Sequence, residues 1–292
     1  MDAWDEIRTA YHVARMGTVS GAADVLGVHH ATVIRHIDAL EARLGTKLFQ
    51  RHARGYTATE AGHDLLQVAQ ATDDQFTQLV SRLKGRGESV SGELVVTSLE
   101  SLSPLLTPVI ADFQIQHPGL IVRYLTGDRV FRLEYGEAHV AIRAGTAPDQ
   151  PDNVVQKFVQ QRIGMYAAQS YIDRHGMPEG SDFAGHLFVG ADNEKSRAPF
   201  YRWLTDTVPR DQVVFRTTDS QAANHALLRG AGIGFMSCWE AQNYPDLVLV
   251  MSPQEAWTAP VWLVTHMDLH RTTKVQSLLT HLKKAAAEWK EI

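Results

Sequence analysis

The chain has 292 residues, 44% apolar and 21% charged, with a formal net charge of −5. That length favours two domains with an ordinary core, and the charge excludes a bulk basic excess holding the molecule to nucleic acid, so any such contact must rest on local arrangement. A single cysteine, Cys238, excludes a disulfide scaffold or a Cys-rich zinc site. There is no apolar run of ~18 residues, and the acidic start, Met1 to Glu6, is unlike a secretory signal. A cytoplasmic protein with no membrane contact is therefore expected.

Trp4, Ile7, Tyr11 and Ala14 recur at spacings of three and four, which predicts an amphipathic first helix. Met16-Gly17-Thr18 ends it, and Thr18 or Ser20 is placed to cap a second helix with Ala22, Ala23 and Leu26 on a compact face. Gly27-Val28 turns the chain into a third helix, with Val33, Ile37, Leu40 and Leu44 as its inward stripe and Gly45 as its stop. Two short helices joined by a Gly-containing turn, the first lined with alanines so that the pair can cross closely, form a helix-turn-helix pattern. The outer face then carries His30, Ala31, Ile34, Arg35 and Asp38. Arg35 suits a guanine edge or a phosphate, and Ile34 a thymine methyl, in a major groove. The alternative is a plain three-helix bundle with a solvated outer face.

Between residues 47 and 54 the only formal charges are Lys47, Arg51 and Arg54, followed by Gly55 at a turn. This reads as a hairpin wing with its cations on phosphates, or else as an ordinary solvated loop. Of the 14 histidines, His12, His29, His30, His36, His52 and His63 fall in this first region. Their spacing matches no standard ligand set, so no metal site is expected.

Taken in order, Gly17-Thr18-Val19-Ser20-Gly21-Ala22-Ala23, Leu26-Gly27-Val28, Leu40-Glu41, Leu44-Gly45, Leu48-Phe49-Gln50-Arg51 and Thr59-Glu60-Ala61-Gly62 resemble the signature of LysR-type transcriptional regulators. The resemblance implies a bacterial winged helix-turn-helix domain, residues 1–58. It would read double-stranded promoter DNA through His29, His30, Ala31, Thr32, Ile34 and Arg35, with Arg51 and Arg54 on the wing. Three departures stand out. The family usually opens the third helix with Ser or Thr and then Gln, where this chain has His29 and His30; it usually has Ser at Ile34 and Leu at Ala58. His29 is also a poor helix cap.

From Thr59, placed as a cap, a helix is predicted to about residue 84. Leu65, Val68, Thr72, Phe76, Leu79 and Leu83 form a narrow seam along it, suited to a second subunit or to its own domain. The resemblance implies a dimerisation helix. The Gly/Ser-rich stretch 85–92 is read as a hinge that closes a linker region, 59–92.

Beyond it, strands are expected at 94–97, 121–125, 140–142, 163–167, 213–215, 233–236, 248–250 and 261–264. Helices are expected at 104–116, 130–135, 171–175, 200–205, 220–229 and 273–290, the last with Val275, Leu278, Leu279, Leu282, Ala286 and Trp289 inward. Such alternation argues for α/β sheets covered by helices. Ligands bind such sheets beyond the carboxyl ends of strands. Three places qualify: Ser98, Leu99, Glu100 and Ser101; Thr126 and Asp128; Thr218 and Asp219. Hydroxyls and helix N–H groups there suit a small anion; the alternative is that these residues only cap their own helices. Arg123, Arg129, Arg143 and Arg197 would favour an anionic ligand if they line the cleft.

Phe113 with His117-Pro118, residues 229–234 and residues 260–266 resemble the effector domain of the same family, itself similar to periplasmic solute-binding proteins. The resemblance implies an effector domain, 93–292, in two subdomains: 93–162 plus 267–292, and 163–266. Paired crossover strands would join them, with the effector in the cleft and the final helix packed on the first subdomain. His139 stands where the family usually has Asp. Cys238 follows a segment where Pro is common, and a lone buried thiol is preferred there to a redox sensor.

The expected fold class is an N-terminal all-α winged helix-turn-helix with a linker helix, then a C-terminal α/β effector domain of periplasmic-binding-protein type. The expected function is a ligand-responsive, sequence-specific transcriptional regulator, with promoter DNA and an unidentified small effector as partners and no cofactor. The family resemblance adds self-association as a dimer of dimers. The alternative is a cytoplasmic small-molecule-binding protein without DNA-binding activity. An enzyme is not expected, because no nucleophile–base pair, phosphate loop or HExxH site occurs.

Overall fold

A computed structural model describes residues 3–52, 55–83, 90–127, 129–180, 182–193, 196 and 198–289. The side chains of residues 71, 74, 75, 77–83 and 135 lie outside that description. The hinge residues 85–89, the side chains of Leu79 and Leu83, and Arg54, Asp128 and Arg197 are thus outside the described residues.

Helices α1 (Trp4–Met16), α2 (Val19–Leu26) and α3 (His30–Leu44) pack around Ala10, Val13, Ala22, Ala23, Val33, Ile37 and Leu40. Thr18, not Ser20, caps α2, its hydroxyl accepting the Gly21 N–H at 3.1 Å. Gly27, at φ 65°, supplies the left-handed residue that turns α2 into α3. Leu44 does not join the inward stripe: it is 54% exposed, while Glu41 is only 3% exposed. The chain leaving Gly45 folds back across the Glu41 side of α3, and Leu48 and Phe49 fill the core there instead. The wing is an antiparallel pair, β1 (Phe49–His52) with β2 (Gly55–Ala58), in register Phe49↔Ala58.

Helix α4 (Glu60–Leu83) lies along α1. Leu65 joins the winged-domain core, the Tyr11 hydroxyl donates to Gln70 Oε1 at 2.7 Å, and the Trp4 and Phe76 rings meet edge to face at 5.5 Å. Val68 and Phe76 nonetheless remain 63% and 48% exposed. The seam therefore serves its own domain on one side and leaves apolar surface on the other.

The rest of the chain builds β3 (Gly92–Ser98), α5 (Ser103–Gln116), β4 (Leu120–Thr126), β5 (Val140–Ala144), β6 (Asn153–Gln161), β7 (Ile163–Ala168), α6 (Gln169–His175), β8 (Phe188–Ala191), α7 (Pro199–Thr207) and β9 (Val213–Thr217). It continues through α8 (Ser220–Leu228), β10 (Gly234–Ser237), α9 (Cys238–Ala241), β11 (Leu247–Met251), β12 (Ala259–His266), α10 (Met267–His270) and α11 (Thr273–Ala286). Among the described residues one sheet has the order β4-β3-β5-β12-β6, with β3 parallel to β4 and β5 and β12 antiparallel to β5 and β6. Alternation along β3 places Leu94 and Val96 under α5 and α11, and Val95 in a smaller cluster with Leu133, Ala141 and Val264 on the other face.

The second sheet runs β10-β7-β11, beside the parallel pair β8-β9, around Met165, Tyr171, Phe188, Phe235 and Trp257. The chain passes between the two sheets at Arg162 and again between β11 and β12. Residues 259–266, expected in the second subdomain, hydrogen-bond into the first sheet. Strands β6 and β8 were not anticipated, and the helix expected at 130–135 is only a 3-10 turn, Leu133–Tyr135. Among the described residues no helix is long and apolar enough to cross a membrane.

Candidate functional site

On α3, burying Val33, Ile37 and Leu40 turns the opposite face to solvent. His29, His30, Ala31, Ile34 and Arg35 are exposed there, and Thr32 is half-buried. His29 makes no side-chain cap, as its chemistry suggests, and the helix starts without one. His36 is turned sideways to Thr9, Oγ1 to Nδ1 at 2.9 Å.

Arg51 is not a free wing cation. Its guanidinium bonds Asp38 of α3, reaches the Glu41 carboxylate at 3.3 Å and lies 5.3 Å over the Tyr56 ring. The bond to Asp38 contributes most to raising the Arg51 pKa. Lys47 likewise donates to Glu41, at 2.6 Å, though its own side chain is mostly exposed.

Glu41 is the residue that sequence reasoning passed over. Beyond those two cations it accepts the Leu48 and Phe49 N–H groups at 2.9 and 3.2 Å, so one buried carboxylate ties the wing's entry to the reading helix. The signal was present: an acid between Leu40 and Leu44, with three cations just downstream.

The second candidate site lies where the two sheets face each other. The 3-10 turn Glu100–Leu102, after β3, comes against α8. Ser98 is buried, its hydroxyl donating to Leu99 O at 2.8 Å and bonded to Tyr124 OH at 2.6 Å. Leu99 and Glu100 are half-buried; Ser101, Thr126 and Thr218 are exposed.

The Asp219 carboxylate caps α8, accepting from Gln221 N at 2.8 Å and Ala222 N at 3.0 Å, so for Asp219 the capping alternative holds. The adjoining Ser220 Oγ and Gln221 Nε2 are shut off from solvent, and neither has a hydrogen-bond partner among the described residues. Buried polar atoms are nearly always satisfied, which makes this pair the most unusual feature of the cleft. Of the arginines, the three that are described have partners of their own, and Arg197 lies outside the described residues. Arg123 pairs with Glu93 and Arg129 with Glu137, while Arg143, its pKa lowered by burial, donates to Phe131 O at 2.8 Å.

His139 is buried beside β3, its backbone N–H bonded to Val95 O and its Nδ1 accepting the Val95 N–H at 2.9 Å. An Asp carboxylate would accept the same N–H, which explains how this exchange is tolerated. Cys238 is a buried free thiol at the start of α9.

In comparison with known proteins, residues 4–63 match the family model described as "Bacterial regulatory helix-turn-helix protein, lysR family", and residues 87–287 match "LysR substrate binding domain". The chain is 27% identical over 257 residues to the HTH-type transcriptional regulator IlvY of Escherichia coli, covering 85% of this chain and 84% of that protein. The full-length structure of LysG from Corynebacterium glutamicum with bound effector Arg is similar at a TM-score of 0.69 and 19% identity, covering 100% of both chains. The structure of CrgA, a LysR-type transcriptional regulator from Neisseria meningitidis, gives 0.61 and 21%, covering 97% of this chain and 99% of that one.

Proposed function

Because the chain belongs to the LysR family of bacterial transcriptional regulators, and is a ligand-responsive DNA-binding regulator and not an enzyme, we propose that α3 reads promoter DNA while the cleft at α8 senses the effector. The observation that carries the DNA reading is the two-sidedness of α3: Val33, Ile37 and Leu40 committed to the core, and an opposite face left to His29, His30, Ala31, Ile34 and Arg35. Arg35, with no ion-pair partner among the described residues, takes a guanine edge or a phosphate, and Thr32 lies at the margin of the contact. Arg51 holds the wing to α3 and offers its exposed edge to phosphate, together with Arg54.

The effector pocket comprises Ser98, Leu99, Glu100, Ser101, Thr126, Asp128 and Thr218, with Asp219 shaping it as a cap and the orphaned Ser220 Oγ and Gln221 Nε2 supplying polar contacts. Effector binding shifts the balance between arrangements of the cleft, and through it the spacing of paired DNA-binding domains in a cytoplasmic dimer of dimers.

A gel shift with the DNA upstream of the chain's own gene tests the first half. Wild type binds with strong salt dependence, and Arg35→Ala costs about 1–3 kcal/mol with relaxed base preference. Equal binding by wild type and variant removes α3 as the reader. For the second half, a metabolite bound at a hundred times its Kd adds about 2.7 kcal/mol of stability. That gain should disappear in Ser220→Ala with Gln221→Ala; an undiminished gain places the effector elsewhere.

A further inference from the structure

Helix α5 runs back along β3, so its end at Gln116 and His117 lies at the Gly92 end of that strand, where Gly92 N bonds Gly119 O, and opposite the Ser98 end that borders the cleft. Between this end of α5 and the outer face of α11 is an open cavity of about 490 Å³. Its floor is the buried Phe113 ring, with the His117 and His281 rings against it at 4.6 and 5.3 Å. Arg271 and Lys284 line it as well, with the hydroxyls of Ser277 and Thr280 between them.

No lining residue is acidic, although the whole chain carries a net charge of −5. Nor does Arg271 or Lys284 have a carboxylate partner among the described residues. A merely solvated helix face usually mixes both signs of charge; a concave one lined by cations, imidazoles, hydroxyls and the Gln276 carboxamide, with no acid and an aromatic ring beneath, has the makeup of a small-molecule site.

We infer that this groove is a second ligand site, distinct from the effector cleft, for a small hydroxylated anion: a phosphate ester or a hydroxy acid. The two cations take the charged group, Ser277 and Thr280 the ligand hydroxyls, and the His117 and His281 imidazoles, backed by the buried Phe113 ring, the carbon skeleton. The inference does not rest on the DNA-binding reading, and neither stands or falls with the other.

Calorimetric titration of the full-length protein with glucose 6-phosphate and with citrate, inorganic phosphate serving as the reference, tests it and separates the two chemistries. At least one of the two organic anions should bind saturably and more tightly than inorganic phosphate. Binding should weaken tenfold or more in the double variant Arg271→Ala, Lys284→Ala and persist in Ser220→Ala. Both substituted cations are exposed, so the melting temperature without ligand should not move. The site is refuted if neither organic anion saturates, if inorganic phosphate binds as well, if the double variant binds like wild type, or if Ser220→Ala loses the binding instead.

Discussion

Burial raises the cost of the Glu41 charge, but the Lys47 ammonium and the Leu48 and Phe49 N–H groups outweigh it and hold this carboxyl below its ordinary range. The unfolded chain therefore takes up a proton at higher pH than the fold does. Glu41 contributes stability above the ordinary carboxylate range, and that contribution is lost as pH falls through its depressed value. Glu41→Leu should cost about 3 kcal/mol or more, because it orphans two buried N–H groups, unpairs Lys47 and leaves Arg51 with Asp38 as its one acid. Glu41→Gln should flatten the acid limb of a urea-melt series; an unchanged limb would mean the carboxylate carries no linkage.

Glu240 is the opposite case. Burial pushes its pKa up and the Asn224 amide, at 2.9 Å, only partly offsets this. The fold then favours the protonated acid, so stability falls as pH rises from the unfolded value towards the folded one, and Glu240→Gln should be neutral or stabilising at neutral pH. For His139, Asp should substitute with little loss. Leu should cost about 1–3 kcal/mol by leaving the Val95 N–H unpaired, a difference read by paired denaturant melts.

At the scale of elements, the junction of wing and linker helix depends on a close approach. A Cβ on Gly62 would lie 2.1 Å from Leu48 O, which is backbone and cannot swing aside. Thr59 locks the same corner by accepting from Gly62 N and donating to Lys47 O at 2.7 Å. Gly62→Ala should therefore destabilise the winged domain by about 1–3 kcal/mol and weaken DNA binding without touching the reading face. Gly45→Ala meets nothing within 4 Å, but at φ 67° it should cost about 1–2 kcal/mol. Circular dichroism melts paired with gel shifts distinguish the two.

The two unanticipated strands have local causes. In β6 the pairing with β12 slips between Val261 and Trp262, so alternation breaks and the chain neighbours Phe158 and Val159 both pack against the same core. β8 is four residues long and contains Gly190, where any Cβ would meet Leu204 at 2.7 Å. At 130–135 the apolar spacing mimics a helix, but Phe131 and Leu133 instead cover the second face of the first sheet.

Across the whole molecule, the winged domain and the linker helix α4 touch the effector domain, α4 lying against the Leu133–Tyr135 turn and α10, with polar pairs at the junction. Arg15 meets Glu93 at 3.1 Å, and the Gln67 amide reaches the His266 ring at 3.0 Å and Asp268 at 3.2 Å. An exposed pair such as Arg15–Glu93 contributes roughly 0–1 kcal/mol, so this is a light fastening that a partner subunit or a ligand can overcome. Apolar surface remains uncovered at Val68 and Phe76 on α4, at Ile121 on β4 and at Val214 and Phe215 on β9. If α4 pairs with its copy, Phe76→Ser should weaken self-association by about 1.5–3 kcal/mol per buried ring, tenfold or more in sedimentation equilibrium. No shift in mass distribution would remove α4 from the interface.

The helix-turn-helix, its inward stripe as far as Leu40 and most of the α/β elements, though not β6, β8 or the turn at 133–135, were legible in the chain, because local periodicity, glycine stops and small-residue crossings act over a few neighbouring residues. Which cations are free to meet DNA was not. Arg35 and Arg51 look alike in sequence, and only the fold brings Asp38, Glu41 and Tyr56 around one of them and leaves the other without an ion-pair partner among the described residues. The same holds for Asp219 and Ser220, adjacent in the chain, one satisfied by its own helix and the other with a hydroxyl that has no partner among the described residues. Hydrophobic periodicity is a one-dimensional signal; ion pairing, burial of a polar atom and the shape of a groove depend on segments distant in sequence, and so were decided only by tertiary packing.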